Sequence, residues 1–188
     1  AHAHLMQRDG RESTAADIKH TQEVHPKDRD AGLVLGERCA AAFRFENGLH
    51  ADVDYFGQQE TDDRSYGIDL IGSKGRIAVR ESVQTSMFVH KGQHQAPDEP
   101  WQRVHLVEED HDEAGNELDR SQKRLLLQRL MLRDLIAAIE EDREPFASGR
   151  DGRDCLEMIH ATWESHRRGT RVRLPLPSRE HPLERWRG

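Results

Sequence analysis

The hydrophobic pattern is clearest in the segment GERCAAAFRFENGLHADVDYF. Apolar and polar residues alternate on both sides of Asn47-Gly48, which predicts a β-hairpin. A three-residue loop ending in Gly48 pairs Phe45 with Leu49, whereas a two-residue loop would place Phe45 opposite His50. Because a one-residue slip turns every side chain to the other face, the three-residue register is the better prediction. It also pairs Phe43 with Ala51, Ala41 with Val53, and Cys39 with Tyr55.

One face of the predicted hairpin is apolar and the other is polar. The polar face carries Arg44, His50, Asp52 and Asp54, which we call the open face. An antiparallel sheet commonly buries one face and leaves the other uncovered. We therefore expect helices on the apolar side, and water, a ligand or another subunit against the open face.

A short glycine turn lies in the segment YGIDLIGSKGRIAVRE, where Gly72 and Gly75 flank Ser73-Lys74. A phosphate-binding loop would need a longer glycine-bounded segment that opens a helix. Here the turn is followed at once by Arg-Ile-Ala-Val-Arg, which alternates and favours a strand. The sequence thus predicts a strand–turn–strand unit in which Gly75 supplies a positive φ.

The remaining segments complete the predicted order of elements. Strands are expected at 1–8 and near 83–90, 101–107 and 172–174, an irregular excursion at 9–32, and helices at 119–142 and 152–168, the second ended by Gly169. The predicted apolar stripes are Leu127, Leu130, Met131, Leu135, Ala138 and Ile139 on the first helix, and Cys155, Leu156, Ile159 and Trp163 on the second. We predict an α+β fold: a two-layer sandwich whose open-faced, mostly antiparallel sheet carries helices packed on one face.

Charge and composition narrow the possible partners. The 188 residues carry a net charge of −7, so nucleic acid is not an expected partner. No apolar run approaches the ~20 residues of a membrane span, and no signal peptide is visible. Cys39 and Cys155 are too few for a disulfide framework and lie in apolar patterns, so both are expected to be buried thiols in a cytoplasmic protein.

Two segments, YGIDLIGSKGRIAV and DLIAAIEEDREPFASGRDGRDCLEMIHATWESHRRGTRVRLPLP, resemble the C-terminal domain of the Gfo/Idh/MocA oxidoreductases. That family includes glucose–fructose oxidoreductase and inositol dehydrogenase. The resemblance covers about residues 1–177, which we expect to form one sheet domain, with 178–188 as a polar tail.

The resemblance implies a role beside a cofactor domain. Family members begin with an NAD(P)-binding Rossmann domain, and the sheet domain that follows shapes the substrate pocket and builds oligomers. Within these residues we find no Gly-x-Gly-x-x-Gly, no Glu-Lys-Pro and no Asp-x-x-x-His. We therefore expect no catalytic residue and no cofactor in this chain, with NAD(P) implied for the full-length protein and the Rossmann domain as a missing partner.

The family also suggests where a sugar or polyol-like substrate would lie. The segment after the first strand borders the pocket in the family, which implies substrate contacts from Arg8, Arg11 and Lys19. Arg64 and Tyr66, before the third strand, are further candidates. The alternative is that these are ordinary solvated loop residues.

The open face has several possible uses. It could join copies of the chain into a homo-oligomer, serve as an acid–base cluster, or remain a solvated surface. A metal-dependent hydrolase using His50, Asp52 and Asp54 is a weaker possibility. The pairs His2/His4 and His90/His94 lack a third ligand, so no metal is predicted.

The leading hypothesis is therefore a substrate-pocket and assembly domain of an NAD(P)-dependent oxidoreductase. The alternative is a non-enzymatic scaffold that self-associates through the open face.

Overall fold

The computed structural model describes residues 1–24, 32–56, 67–80, 86–92, 100–104, 111 and 115–187. The chain divides into two units. Unit one comprises Ala1–Gln59 and Ala147–Gly188, and unit two comprises Glu60–Phe146. Of the sequence-derived candidates, Arg64, Tyr66 and His94 lie outside the described residues.

The elements follow one another in nearly the predicted order. The strands are β1 (His2–Met6), β2 (Lys19–His20), β3 (Leu33–Val34), β4 (Arg38–Arg44), β5 (His50–Phe56), β6 (Gly67–Gly72), β7 (Gly75–Arg80), β8 (Ser86–His90) and β9 (Gln102–Val104). The helices are α1 (Thr21–Val24), α2 (Arg120–Glu140), α3 (Gly149–Arg168) and α4 (Pro182–Arg187), and a 3-10 turn spans Ala15–Asp17.

The hairpin of β4 and β5 has the predicted three-residue register. Phe43 pairs with Ala51 and Ala41 with Val53, and the Phe45 amide donates to the Leu49 carbonyl at 2.9 Å. Strand β1 adds to the other edge of β4, giving the antiparallel order β1-β4-β5. The register argument from alternation is confirmed.

The outer edge of β1 is paired with side chains of α3. The Ala3 amide donates to Ser165 Oγ at 3.0 Å, and the Leu5 amide donates to His166 Nδ1 at 3.1 Å. Because Nδ1 accepts, the proton of His166 lies on Nε2, which donates to the Ser13 carbonyl at 2.8 Å. An edge strand normally exposes such amides, so these two side chains satisfy donors that would otherwise be buried without a partner.

Helix α3 has well-defined ends and an unexpected buried face. Ser148 and Asp151 form a capping box, and Gly169 ends the helix in the left-handed conformation with φ 61°. The buried residues, however, come from the C-terminal half: Ala161, Thr162, Glu164, Ser165 and His166. The predicted stripe was wrong at its N-terminal end, where Leu156 and Ile159 are exposed, because the hydrogen bonds that hold the helix to β1 come from its C-terminal half.

The residues after α3 do not form the predicted last strand. Among the residues that the structure describes, Val172 exchanges backbone hydrogen bonds with Ala1 alone, at 2.9 Å and 2.8 Å. Pro175 and Pro177 lack the amide hydrogens that would extend this pairing. The expected polar tail contains α4, whose Leu183 is fully buried in a core with Leu5 and other apolar residues.

A buried carboxylate joins α4 to α3. Glu164 is paired with Arg167 at 2.9 Å and with Arg185 of α4 at 3.1 Å. Burial acts to raise the pKa of Glu164, but the Arg167 hydrogen bond and the neighbouring arginine charges outweigh it, so the pKa is lowered. The ion pairs thus keep Glu164 charged inside the unit.

Unit two contains the four-stranded antiparallel sheet β6-β7-β8-β9. Its first two strands meet at Ser73-Lys74, as predicted, and the chain continues as a strand after Lys74. Gly75 has φ 150°, and a Cβ at this position would collide with the carbonyl oxygen of His90. Glycine is required here by both its backbone conformation and the close approach of β8.

Helix α2 begins and ends close to the predicted residues. Asp119 and Gln122 form a capping box at its start. Ala138 of the predicted stripe is buried, but Leu127, Met131, Leu135 and Ile139 are exposed, because α2 makes at most slight contact with the described strands of its unit. Among the described residues, no helix has the length and apolar character needed to cross a membrane.

The α+β class and the open, antiparallel character of the sheets are confirmed. The strands of the described residues are divided among three sheets, since β2 and β3 form a separate pair. The expectation of one domain over 1–177 stays a prediction.

We predict that Ser165→Ala lowers the free energy of unfolding by about 1–3 kcal/mol, because the buried Ala3 amide loses its acceptor. Urea denaturation would measure the change. Ser121→Ala, at an exposed position of α2, should change it by less than about 0.5 kcal/mol. Equal effects of the two substitutions would contradict the edge-pairing role.

We also predict that stability falls as the pH drops below about 6.5. The rings of His160 and His181 lie 4.8 Å apart beside Trp163. Burial lowers the pKa of His160, and the charge of Glu157 partly opposes this shift. Burial also lowers the pKa of His181; the charge of His160 adds to this shift and the charge of Glu184 opposes it. The two histidines therefore bind protons less readily in the folded state than in the unfolded state. Their contribution to the free energy of unfolding is complete above the pKa of the unfolded state and is lost as the pH falls below it.

Thermal melts between pH 7.5 and 5.5 would test this dependence. His160→Phe should flatten the pH profile, because it retains an aromatic ring that does not titrate. His50→Phe, on the open face, is the matched control. An unchanged slope in His160→Phe would refute the assignment.

Candidate functional site

A cavity of about 790 Å³ lies inside unit one, between the apolar face of the β4–β5 hairpin and α3. Phe43 and Val53 line it from the hairpin, and Met158, Ile159 and Trp163 line it from the helix. The alternation of the hairpin directs these strand residues toward α3. The volume lies in the range of small-molecule pockets.

The polar part of the lining comes from the segment between β1 and β4. It consists mainly of Gln7, Asp17, Lys19, Thr21, Glu23 and Glu37. Glu23 accepts the His20 amide at 3.0 Å, and Glu37 accepts the Arg8 amide at 2.8 Å. The Lys19 ammonium is exposed and has no hydrogen-bond or ion-pair partner among the described residues.

The residues predicted to contact substrate differ in whether they line the cavity. Lys19 lines the cavity, whereas Arg8 and Arg11 do not. Arg11 binds Asp17 through two hydrogen bonds of 2.8 and 2.6 Å. These bonds, together with the Thr14 amide, hold the pKa of Asp17 well below its usual range. Arg11 is therefore committed to a neighbour, and its role toward substrate stays a prediction, as do those of Arg8 and Lys19.

Sequence reasoning missed the wall of the cavity. Thr162 and Trp163 lie in a helical pattern that indicated a core, and nothing in that pattern distinguishes a filled core from a cavity. The feature of the sequence that indicates this wall is the apolar side of β5, where Val53 and Tyr55 alternate with charged residues. Tyr55 is 55% exposed, so this side of the sheet is incompletely covered.

Both cysteines line the cavity, but their environments differ. Cys39 is half-buried, and burial, followed by the charge of Asp54, raises the pKa of its thiol to about 11. Cys155 is exposed, which corrects the expectation that it is buried. It lies in the N-terminal half of α3, away from the β1 edge.

The open face has the predicted composition. Arg44 lies opposite His50 in the register, and Asp52 and Asp54 follow on the same side of β5. All four are exposed, and none has an ion-pair partner among the residues that the structure describes. The face continues onto β1, where the rings of His2 and His4 are 5.1 Å apart.

One group of metal-type side chains comes together in the described part of the chain: His4, Glu12 and His166. Both ring nitrogens of His166 are already engaged, Nδ1 by the Leu5 amide and Nε2 by the Ser13 carbonyl. His166 therefore has no free lone pair for a metal ion. Its geometry fits a structural hydrogen-bonding role.

Comparison with known proteins identifies a family. A family model described as the oxidoreductase family, C-terminal alpha/beta domain (GFO_IDH_MocA_C), matches residues 5–174. Searches of curated proteins and of solved structures found no match. The matched range includes the end of β1, the hairpin, the glycine turn and α3.

We predict that iodoacetamide alkylates Cys155 at least about tenfold faster than Cys39 at pH 8, because a thiol of pKa near 11 is almost entirely protonated there. Peptide mass spectrometry over time would measure both rates. Cys155→Ser should remove the fast phase, and alkylation in urea should bring the two rates together. Equal rates in the folded protein would contradict the described environments.

Proposed function

This chain belongs to the Gfo/Idh/MocA oxidoreductase family through its C-terminal alpha/beta domain, and from that premise we propose that it is the substrate-side and assembly domain of an NAD(P)-dependent oxidoreductase. The substrate we propose is a sugar or polyol-like compound. Hydride transfer would be supplied by NAD(P) held in a Rossmann domain outside these residues. The described part of this chain does not fit the cofactor, because its glycine turn joins β6 to β7 rather than opening a helix.

The observation that supports the assembly role is the unpaired charge of the open face. Arg44 and Asp54 lie about 14 Å apart along the strands, as four residues at ~3.4 Å each imply. A second copy related by a two-fold axis would bring its Asp54 toward Arg44 and its Arg44 toward Asp54. Such an arrangement pairs opposite charges twice, and it gives the exposed side chains a partner.

The support for the substrate role is the position of Lys19. It follows β1 in the chain, lines the cavity, and offers an ammonium group that no described residue occupies. An ammonium donor can bind hydroxyl or carboxylate oxygens of a substrate. In this role Lys19 binds and orients the substrate, and the cofactor domain carries the chemistry.

A purely structural scaffold is the second candidate. It would use the same open face, and it would not need the cavity. Titration of the chain with myo-inositol distinguishes the two, because the substrate role requires binding that Lys19→Met weakens.

We predict that Arg44→Glu or Asp54→Lys weakens self-association by about tenfold each, because both replace an attraction by a like-charge repulsion at two symmetric places. The double variant Arg44→Glu/Asp54→Lys should recover most of the loss, since the charges are exchanged rather than removed. Sedimentation velocity over a concentration series would give the dissociation constants. A double variant as weak as the single variants would count against the two-fold pairing, as would a strictly monomeric parent chain.

A matched control is Glu46→Lys. Glu46 lies in the exposed hairpin loop, outside the open face, and this change alters the net charge as much as Asp54→Lys does. It should leave the dissociation constant within about twofold, because a single exposed charge away from the contact contributes little.

A further inference from the structure

We propose that the cavity of unit one binds an organic cation: a compound with an apolar, preferably aromatic, body and an amine head. This proposal rests on the proposed function for the role of the cavity as a substrate site, although binding itself can be tested without that role. It replaces the sugar or polyol-like substrate by a compound that carries an apolar portion and a positive charge.

The walls indicate the body of the ligand. Phe43, Tyr55 and Trp163 supply three aromatic rings, and Met158 supplies a flexible thioether. Such surfaces bind flat apolar groups through contact area and adaptable packing.

The walls also offer few polar groups to a sugar. The Thr162 hydroxyl donates to the Met158 carbonyl at 3.0 Å, and that bond occupies its hydrogen. Gln7 donates to Ser13 Oγ at 2.8 Å, so one of its amide hydrogens is also in use. A compound with hydroxyl groups on all sides would leave several of them without partners against such walls.

The rim indicates the charge of the head. Among the described residues, three carboxylates and one ammonium line the cavity: Asp17, Glu23, Glu37 and Lys19. Arg11 neutralises Asp17 through two hydrogen bonds from outside the lining. Lys19 balances one of the two remaining carboxylates, which leaves the described part of the rim negative.

The two glutamates also retain acceptor capacity. Glu23 uses Oε1 for the His20 amide, and Glu37 uses Oε2 for the Arg8 amide. The second oxygen of each carboxylate has no partner among the described residues. An ammonium group carries several donors and can satisfy such acceptors with charge-assisted hydrogen bonds. The net charge of −7 further favours the approach of a cation over that of an anion.

Calorimetric titration of the full chain with three probes that share a naphthalene body tests which charge of the ligand's head group the cavity prefers. The probes are naphthalen-2-ylmethylamine, which is a cation at pH 7.5, naphthalen-2-ylmethanol, which is neutral, and naphthalene-2-carboxylate, which is an anion. We expect the amine to bind about tenfold more tightly than the carboxylate, with the alcohol between them. A carboxylate that binds as tightly as the amine would overturn the proposal.

Two pairs of variants test the location. Ile159→Trp fills the cavity from α3 and should abolish amine binding, whereas Leu156→Trp, on the same helix but outside the lining, should leave it unchanged. Glu37→Gln should weaken binding of the amine severalfold and leave binding of the alcohol unchanged, whereas Glu46→Gln should change neither. Thermal melts show whether each variant is folded. Folded Ile159→Trp that binds like Leu156→Trp would overturn the proposal.

Lys19→Met separates this proposal from the proposed function. Removing the ammonium should strengthen amine binding, because it removes a like charge from the rim, and it should weaken any binding of myo-inositol. If myo-inositol binds and the amine does not, the organic-cation proposal fails while the sugar or polyol substrate stands. If the amine binds as expected and myo-inositol does not, the cation proposal stands and the sugar or polyol substrate fails.

Discussion

The arrangement of unit one depends on the contact between α3 and the outer edge of β1. Two side chains, Ser165 and His166, accept the amides of Ala3 and Leu5. Hydrogen bonds of this kind have a narrow range of distance and direction, so they fix the helix along the strand as well as holding it there. These hydrogen bonds secure the C-terminal half of the helix at the strand edge. Nearer the start of the helix, Glu157 accepts the Leu176 amide at 2.6 Å, and Met158 packs against Ala3, Ala41 and Phe43. Cys155 and Ile159 line the cavity between the helix and the hairpin.

The same contact explains which parts of the structure could be predicted from the sequence. The hairpin register followed from alternation and a glycine loop, because a period of two leaves a single register that buries Phe43. The ends of the helices followed from their capping residues. The buried face of α3 did not, because Ser165 and His166 are polar and a hydrophobic pattern gives them no reason to be inside. Their burial follows from the need to pair the amides of an edge strand, a need that appears only once β1 is known to lie at an edge.

Other differences have equally local causes. The segment at Val172 resembled a strand by composition, but two prolines shortly afterwards limit its pairing to the hydrogen bonds with Ala1. Helix α4 lies in the segment that the sequence predicts to be a polar tail, and it contains three charged residues in six. Its burial rests on Pro182 and Leu183, and a pair of apolar residues is too short a signal to distinguish a docked helix from a solvated end. The cavity could not be predicted at all, because it is a property of incomplete contact between elements that are each correctly identified.

The two sides of the hairpin form two different surfaces, the wall of the cavity and the open face. Along β5, Val53 and Tyr55 face the cavity, while Asp52 and Asp54 belong to the open face. Neighbouring residues of one strand therefore belong to chemically different surfaces separated by a single layer of backbone. The charge of Asp54 already reaches across that layer, since it contributes to the raised pKa of Cys39. In the assembly proposed above, a subunit that neutralised Asp54 would remove this contribution to the pKa of Cys39, and the effect would pass through the strand itself.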